Sequence, residues 1–227
     1  MKIARAMHDW SVTPGQAIAI QEQLTGLVRQ IKPKRTLRLV AGMGSAFSPD
    51  DQECIAAVIL WDMVENVIVE QHNVTRKLLF PYIPGLLAFR EAPAMIEVLR
   101  KLQKIPDVLL CEGHGLAHPR GFGMACHIGV IVDLPTIGCG KSKLIGHHCE
   151  PGYQRGSKSP LLYQNKIVGT VLRSQDGVRT VFVSVGHKID LTTAEEVVLG
   201  CAIRYRLPEP SRLAGNLAKR LQQTIKK

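Results

Sequence analysis

Apolar positions change their spacing from helical to strand-like within the first third of the chain. Residues 14–31 carry apolar side chains at roughly helical spacing, which predicts an amphipathic helix followed by a basic linker. The segments 36–47, 54–63 and 67–78 are rich in apolar and β-branched residues and are separated by short polar turns. We interpret them as three consecutive strands that form an antiparallel meander.

The middle of the chain alternates between short apolar runs and helical patterns. Three prolines in residues 80–93 exclude a long regular element there, and the apolar spacing in 94–104 predicts a helix after them. Residues 106–112 are nearly all apolar, which is typical of a strand covered on both faces of a sheet, and 135–141 are interpreted as another short strand that leads to Lys141. The pattern in 121–133 predicts a helix between these two strands.

The last part of the chain is predicted to contain a loop over 147–165, a hairpin formed by 166–174 and 179–190, and a helix over 192–206. Three antiparallel strands, then strand–helix units, then a late hairpin predict an α/β fold with a mixed sheet flanked by helices. We expect one domain over residues 1–227, with a basic C-terminal tail from about residue 213, for which a helix and a frayed end are both open.

Composition adds a constraint on partners and on location. The chain has 29 Lys and Arg against 19 Asp and Glu, and its net charge of +10 favours nucleic acid first and anionic membrane second. A soluble protein with a basic surface remains the alternative. The six cysteines show no C-x-x-C spacing, which suits reduced core cysteines. The sequence shows no signal peptide and no apolar run of about 18 residues, so we expect a soluble, cytoplasmic monomer without membrane contacts.

Polar groups at the ends of predicted strands are the first candidates for chemistry. Glu112, Lys141 and His187 each follow or end such a strand, where open α/β sheets bind ligands, although surface loops would give the same pattern. Glu91 and Glu112 are candidate magnesium ligands, because hard cations prefer carboxylate oxygens. The alternative for Glu91 is an acid that begins a helix before Pro93.

The sequence "PYIP" predicts a stiff loop with an exposed tip. Pro81 and Pro84 restrict the backbone on both sides of Tyr82 and Ile83. A rigid tip made of an aromatic and an aliphatic side chain can insert between nucleic-acid bases. The alternative is a tyrosine that anchors the loop to the protein core.

Four stretches together resemble the endonuclease V family. They are "FPYIPGLLAFREAPA", "PDVLLCEGHGLAHPRGFGMACHIGVIVDLPTIGCGK", "SVGHKIDLTTA" and "YRLPEP", and the similarity runs in a consistent order from about residue 14 to 212. The resemblance implies an RNase H-like fold and binding of DNA or RNA that contains inosine. It also implies hydrolysis of the second phosphodiester 3′ to the lesion, with Mg²⁺ or Mn²⁺ as cofactor.

The resemblance also implies roles for individual residues. Glu91, Glu112, Lys141 and His187 match active-site positions of the family, with Glu112 and Glu91 as metal ligands and Asp190 as a further candidate ligand. The implied nucleic-acid-binding residues are Pro81, Tyr82, Ile83, Pro84, Gly113, His114, Gly115, His118 and Arg120. Tyr82 would be the wedge at the lesion, and the glycines after Glu112 would let the nucleic acid approach the backbone closely.

The chain departs from the family pattern at its carboxylates. Gly44 stands where the family has a catalytic aspartate, Glu112 stands where it has another, and a further family aspartate falls on Thr192. We expect residue 44 to face Glu91 and Glu112, and metal sites tolerate little displacement of their ligands. Two functions therefore stay open: an inosine-directed endonuclease, and a catalytically inactive homologue that binds nucleic acid without cleaving it.

Overall fold

The structure, a computed structural model, describes residues 1, 3 and 7–225. In this part of the chain the strands are β1 (Leu39–Phe47), β2 (Glu53–Asp62), β3 (Val67–Lys77), β4 (Val108–Cys111), β5 (Thr136–Gly140), β6 (Lys158–Tyr163), β7 (Lys166–Leu172) and β8 (Val181–His187). The helices are α1 (Pro14–Thr25), α2 (Leu87–Arg100), α3 (Met124–Val132), α4 (Leu191–Cys201) and α5 (Glu209–Ile225).

The strands form one mixed sheet in the order β3-β2-β1-β4-β5-β8-β7-β6. The predicted meander is confirmed, since β1, β2 and β3 pair antiparallel. The central strands β1, β4 and β5 run parallel, and β8 then pairs antiparallel with β5 and with β7. The predicted hairpin of β7 and β8 is therefore confirmed as well, and the carboxyl ends of β4 and β5 lie at the same edge of the sheet.

Helices cover both faces of the sheet, as the sequence predicts. One face packs against α2 and α3 through a cluster that includes Met43 of β1. The opposite face packs against α4 in the centre of the sheet and against α5 over β1 and β2. Side chains alternate along a strand, so Ala46 of β1 faces α5 while Met43 faces α2.

Helix α1 is shorter than the sequence predicts. It begins after Thr13, whose side chain and that of Gln16 form a capping box, and it ends at Thr25 instead of residue 31. Gly26 caps the helix, and beyond it Leu27 is largely exposed while Val28 packs against α3. The apolar positions after residue 25 therefore belong to an extended segment that follows the protein surface.

Helix α2 begins earlier than predicted, at Leu87, and passes through Pro93. Proline lacks an N–H, so the helix lacks the hydrogen bond that residue 93 would donate to Phe89. Pro93 is buried, and its neighbours Ala92, Ala94 and Met95 belong to the core that packs against the sheet, so the helix continues through the proline. Both the predicted break at the proline and the alternative role of Glu91 as a helix-start acid are wrong.

Two further predictions near the C-terminus need correction. The predicted loop 147–165 contains β6, which forms an edge of the sheet. The predicted basic tail is mostly α5, whose Ala214, Leu217 and Ala218 are buried against β1 and β2. Lys226 and Lys227 lie outside the described residues. The tail is therefore a part of the core whose exposed side carries the charges.

None of the helices in the described part of the chain combines the length and the apolarity that crossing a bilayer requires.

Candidate functional site

Glu112 and Lys141 meet at the edge where two parallel strands end. Glu112 directly follows β4, and Lys141 directly follows the neighbouring strand β5. The Lys141 ammonium donates a hydrogen bond to Glu112 Oε1, and both side chains remain partly exposed. The predicted proximity of these two residues is thus confirmed, and each supplies the other's counter-charge.

Glu91 lies in the second turn of α2 and reaches the same region from within the core. Its side chain is only 7% exposed, and Ser45 Oγ of β1 donates a hydrogen bond to Glu91 Oε2 at 2.8 Å. Burial, together with the nearby negative charge of Glu112, raises the pKa of Glu91 to about 7, although the Ser45 hydrogen bond opposes the shift. Glu91 is therefore partly protonated at neutral pH.

Gly44 does not face Glu91, contrary to the sequence-based expectation. Ser45 is the β1 residue that faces Glu91, and Gly44 points to the other face of the sheet, where α5 lies. A Cβ on Gly44 would lie 2.6 Å from Gly215 Cα and 2.8 Å from the carbonyl carbon of Ala214. The space for a side chain at position 44 is filled by the backbone of α5.

The acidic groups present do not fit a centre for two metal ions. Glu112 is paired with Lys141, and Glu91 holds its proton up to a pH of about 7. Position 44 offers neither a ligand atom nor room for one. Within the described residues, no group of three or more His, Cys, Asp or Glu side chains is arranged to hold a metal. Glu112 and Glu91 remain the only carboxylates of this region that we can assign as candidate ligands of a single ion.

A cavity of about 320 Å³ opens beside this pair of residues. Its walls are formed by the PYIP loop, the turn after β4 and the segment after β5. The lining includes Tyr82, Ile83, Pro84, Glu112, Gly113, His114, His118 and Lys141. Tyr82 is 68% exposed at the rim, so the alternative of a tyrosine anchored in the core is wrong. Pro81 is also exposed, whereas Ile83 packs against the core cluster beneath the loop. The cavity has the size of a small-molecule or base pocket.

Three side chains hold the PYIP loop at its C-terminal end. The carbonyl oxygen of Gly85 accepts hydrogen bonds from Gln21 Nε2 at 3.1 Å, His118 Nε2 at 2.9 Å and Arg120 Nη2 at 2.8 Å. Burial lowers the pKa of His118 to about 4, so its ring is neutral at physiological pH. The structure therefore gives His118 and Arg120 a role in positioning the loop, in addition to the nucleic-acid contact implied for them.

The glycines after Glu112 serve two different purposes. Gly113 lines the cavity with φ of 148°, a conformation that favours glycine. Gly115 is buried, and a Cβ there would lie 2.6 Å from the carbonyl carbon of Val185. Gly115 thus permits close packing against β8 and does not face the cavity, which corrects its predicted role. His114 lies between them, lines the cavity and contacts the Ser142 carbonyl through Nε2 at 3.1 Å.

His187 and Asp190 are not brought into the site. Because β8 runs antiparallel to β5, His187 pairs with Thr136 at the start of β5, whereas Lys141 follows its end. At about 3.3 Å per residue, the length of β5 separates these two ends by roughly 16 Å. Asp190 caps α4 by accepting a hydrogen bond from the Thr193 N–H at 2.7 Å. His187 therefore lies at the opposite end of β5 from Lys141, and Asp190 is engaged as the cap of α4, so the structure does not bring either residue beside Glu112.

Sequence reasoning missed Ser45, Gln21 and Arg206. Ser45 is the neighbour of Gly44 on the opposite face of β1, a placement that strand alternation could have indicated. Gln21 is a polar residue on the inward side of a helix, and its burial is a signal for a specific hydrogen-bonding role. Arg206 donates a hydrogen bond to the Lys141 carbonyl across a long stretch of sequence, which no local pattern reveals.

The sequence is similar to known proteins over most of its length. The sequence profile of the endonuclease V family matches residues 22–216. Endonuclease V of Roseiflexus castenholzii is 45% identical over 213 residues, which make up 94% of this chain and 95% of that protein. The similarity thus extends over nearly the full length of both chains.

Solved structures show the same architecture. The crystal structure of endonuclease V from Streptomyces avermitilis has a TM-score of 0.92 at 37% identity and covers 100% of both chains. Endonuclease V of Ciona intestinalis, solved with a DNA that contains an inosine followed by a ribo-adenosine, has a TM-score of 0.82 at 24% identity, covering 93% of this chain and 98% of that one. At this lower identity the likeness concerns the fold. The RNase H-like fold expected from the sequence is confirmed.

Proposed function

This chain belongs to the endonuclease V family, and we propose that it recognises inosine-containing DNA or RNA in the cavity beside the PYIP loop. The lesion base would turn out of the stack into the cavity, as in other proteins that read a single base. Tyr82, exposed at the rim, would fill the place that the base leaves. The protein would thereby act on deaminated nucleic acid.

The observation that carries this proposal is the position of the cavity. It lies between a protruding aromatic side chain, Tyr82, and the cation of Lys141. A base that enters the cavity past Tyr82 brings its own backbone phosphate towards Lys141. The proline-braced loop is fixed by three donors to Gly85, so Tyr82 is presented by a pre-organised element and little ordering is needed on binding.

Hydrolysis of the second phosphodiester 3′ to the lesion is the second candidate function. It is favoured by Glu112 and Lys141 at one end of the cavity and by Glu91, which is buried close enough to Glu112 for the two carboxylates to affect each other. Endonuclease V nucleases are metal-dependent in general, and Glu112 with Glu91 would hold Mg²⁺ or Mn²⁺ here. Such an ion would supply charge stabilisation for a phosphate that is being attacked. We place hydrolysis second because the position-44 carboxylate is absent and α5 fills its space.

Equilibrium binding tests recognition. Fluorescence anisotropy compares the binding of inosine-containing and unmodified duplexes by the wild type, by Tyr82→Ala and by the control Tyr163→Ala, whose position on strand β6 is outside the cavity lining. We expect Tyr82→Ala to lose affinity for the inosine duplex by about 1–3 kcal/mol, the contribution of one base stack. An equal loss on both duplexes would exclude the wedge role of Tyr82.

Single-turnover cleavage with Mg²⁺ or Mn²⁺ separates the two candidate functions. Lesion-selective binding without any cut strand would support the binding-only protein. Efficient cleavage by the wild type that is lost in Glu91→Ala would show that two carboxylates and Lys141 suffice for hydrolysis.

A further inference from the structure

A second surface lies beside the cavity, formed by three loops that are joined by hydrogen bonds. The Gly177 N–H donates to the Tyr153 carbonyl at 3.0 Å, which links the turn at 151–156 to the turn at 174–179. Gln175 Nε2 donates to the Ala202 carbonyl at 2.9 Å, which adds the segment 202–206. We call this surface the tyrosine–arginine platform; its members are Tyr153, Arg155, Arg179, Arg204 and Tyr205.

The platform lies at the same edge of the sheet as Lys141. Strand β8 runs antiparallel to β5, so its first residues neighbour the end of β5, and Phe182 pairs with Gly140. Arg206, which follows the platform residue Tyr205, donates hydrogen bonds to the Thr180 carbonyl at 2.7 Å and to the Lys141 carbonyl. A polymer that leaves the cavity past Lys141 therefore reaches the platform directly.

Two tyrosine rings of the platform are exposed to solvent. Tyr153 is 72% exposed and lies against Gly177, where a Cβ would come 2.5 Å from Tyr153 Cζ. Tyr205 is 52% exposed, and the Arg212 guanidinium lies 4.2 Å from its ring centroid. Each ring is thus supported from the protein side and open on the other, which is the arrangement that allows a base to stack.

Positive charge accompanies the rings. Arg179 and Arg204 are exposed and form no ion pair with any other residue that the structure describes. Arg179 also lies close enough to Arg206 to lower the pKa of that partly buried guanidinium, after the larger effect of burial. The acids beside the platform are already engaged, Asp176 by the Arg155 backbone N–H and Glu209 by Arg212. This local excess of cations suits a chain of phosphates.

We infer that the tyrosine–arginine platform binds an unpaired segment of the nucleic-acid strand that continues from the cavity past Lys141, with its bases on Tyr153 and Tyr205 and its phosphates at Arg179 and Arg204. The inference rests on the proposed recognition of inosine in the cavity. Stacking on tyrosine and pairing of arginine with phosphate read no sequence, so the platform contributes affinity to any strand that is long enough.

The experiment compares single-stranded oligonucleotides of about 7 nucleotides, which extend only about 3 nucleotides to each side of a central base, with oligonucleotides of about 25, which exceed the roughly 4–16 nucleotides of a typical binding track. Each length is prepared with a central inosine and without it. The proteins are wild type, Tyr205→Ala, Tyr153→Ala, Tyr205→Phe and the control Tyr163→Ala, with thermal melting to verify folding. Arg179→Gln is titrated with salt, with Arg76→Gln on the outer strand β3 as its control.

We expect both alanine variants to bind the long strands about 5- to 100-fold more weakly, with and without inosine, and the short strands as the wild type does. Tyr205→Phe should retain wild-type affinity because it keeps the ring. Arg179→Gln should reduce the slope of log affinity against log salt by about 0.7 on the long strands only.

Wild-type affinity of both alanine variants for the long strands, or an equal loss on short and long strands, would overturn the platform. A wild type without preference for inosine would instead refute the proposed recognition. Strand binding by the platform would still be tested in that case, because the affinities of the variants for the unmodified long strand are also compared with that of the wild type.

Discussion

Replacing Gly44 with alanine should destabilise the protein, whereas the same replacement at Gly215 should not. The two glycines touch each other across the interface of β1 and α5. A Cβ at position 44 would point into this interface, 2.6 Å from Gly215 Cα. A Cβ at position 215 would point away from it, and its nearest contact is Glu112 Oε2 at 3.8 Å, an ordinary van der Waals distance.

The cost at position 44 is large because α5 cannot easily move. A Cβ on Gly42 would likewise lie 2.6 Å from the Pro210 carbonyl oxygen, so the helix touches β1 at two points. Moving α5 outward would also separate Leu217 and Ala218 from the buried side chains of β2. Overpacking of this kind costs about 1–3 kcal/mol, and backbone-to-backbone contact places Gly44→Ala at the upper end.

Thermal unfolding measures the difference. A loss of about 3 kcal/mol should lower the Tm of Gly44→Ala by roughly 6–12 °C for a chain of this size. Gly215→Ala should leave the Tm unchanged or raise it slightly, because alanine is favoured over glycine within a helix by about 1 kcal/mol. A Gly44→Ala protein as stable as the wild type would show that α5 does not lie against β1 as described. By the same reasoning, we expect Gly44→Asp to fail to restore a carboxylate to the site.

Four further outcomes are expected. The folded state holds the Glu91 proton more tightly than the ordinary pKa of 4.5, so the free energy of unfolding should fall by up to about 3 kcal/mol as the pH rises from 4.5 to about 7, and urea unfolding of Glu91→Gln should lack this decrease. Gln21→Leu removes donors to the Gly85 and Phe122 carbonyls, which should cost about 1–3 kcal/mol in urea unfolding and weaken inosine selectivity in anisotropy. Truncation after Leu213 removes most of α5 and should expose apolar core, which increased binding of a hydrophobic dye would reveal; a folded truncated protein would contradict the packing of α5. Inosine binding should persist in EDTA because Lys141 already neutralises Glu112, and a large loss of affinity on chelation would contradict this.

The strands and their order were largely predictable because their patterns are local. The meander follows from three adjacent apolar segments, and the buried strand β4 follows from a nearly all-apolar run. Glu112 and Lys141 were placed together correctly because both follow parallel neighbouring strands. The apolar pattern of β8 does not indicate whether this strand runs parallel or antiparallel to β5. The sequence alone therefore predicts His187 beside Glu112 and Lys141, whereas it lies at the opposite end of β5.

Contacts between distant segments account for the other errors. Pro93 predicts a break in a helix, but α2 continues through it with one backbone hydrogen bond missing, within a well-packed core. The sequence suggests that Gly44 leaves a space where a side chain is missing. In the structure the backbone of α5, which is distant in sequence, occupies that space. The burial of α5 against β1 and β2 was not predicted, because the basic residues on its exposed side indicate a solvated tail.

Recognition and hydrolysis depend on different parts of this fold, so one can change without the other. The cavity wall and Tyr82 are fixed by Gln21, His118 and Arg120, none of which touches α5 through any hydrogen bond that the structure describes. The carboxylate centre instead depends on how closely α5 approaches β1. Because Lys141 neutralises Glu112 and burial keeps Glu91 partly protonated, a phosphate that approaches this end of the cavity meets little net negative charge. The absence of a carboxylate at position 44 removes a metal ligand and, for the same reason, removes one negative charge that would repel nucleic acid.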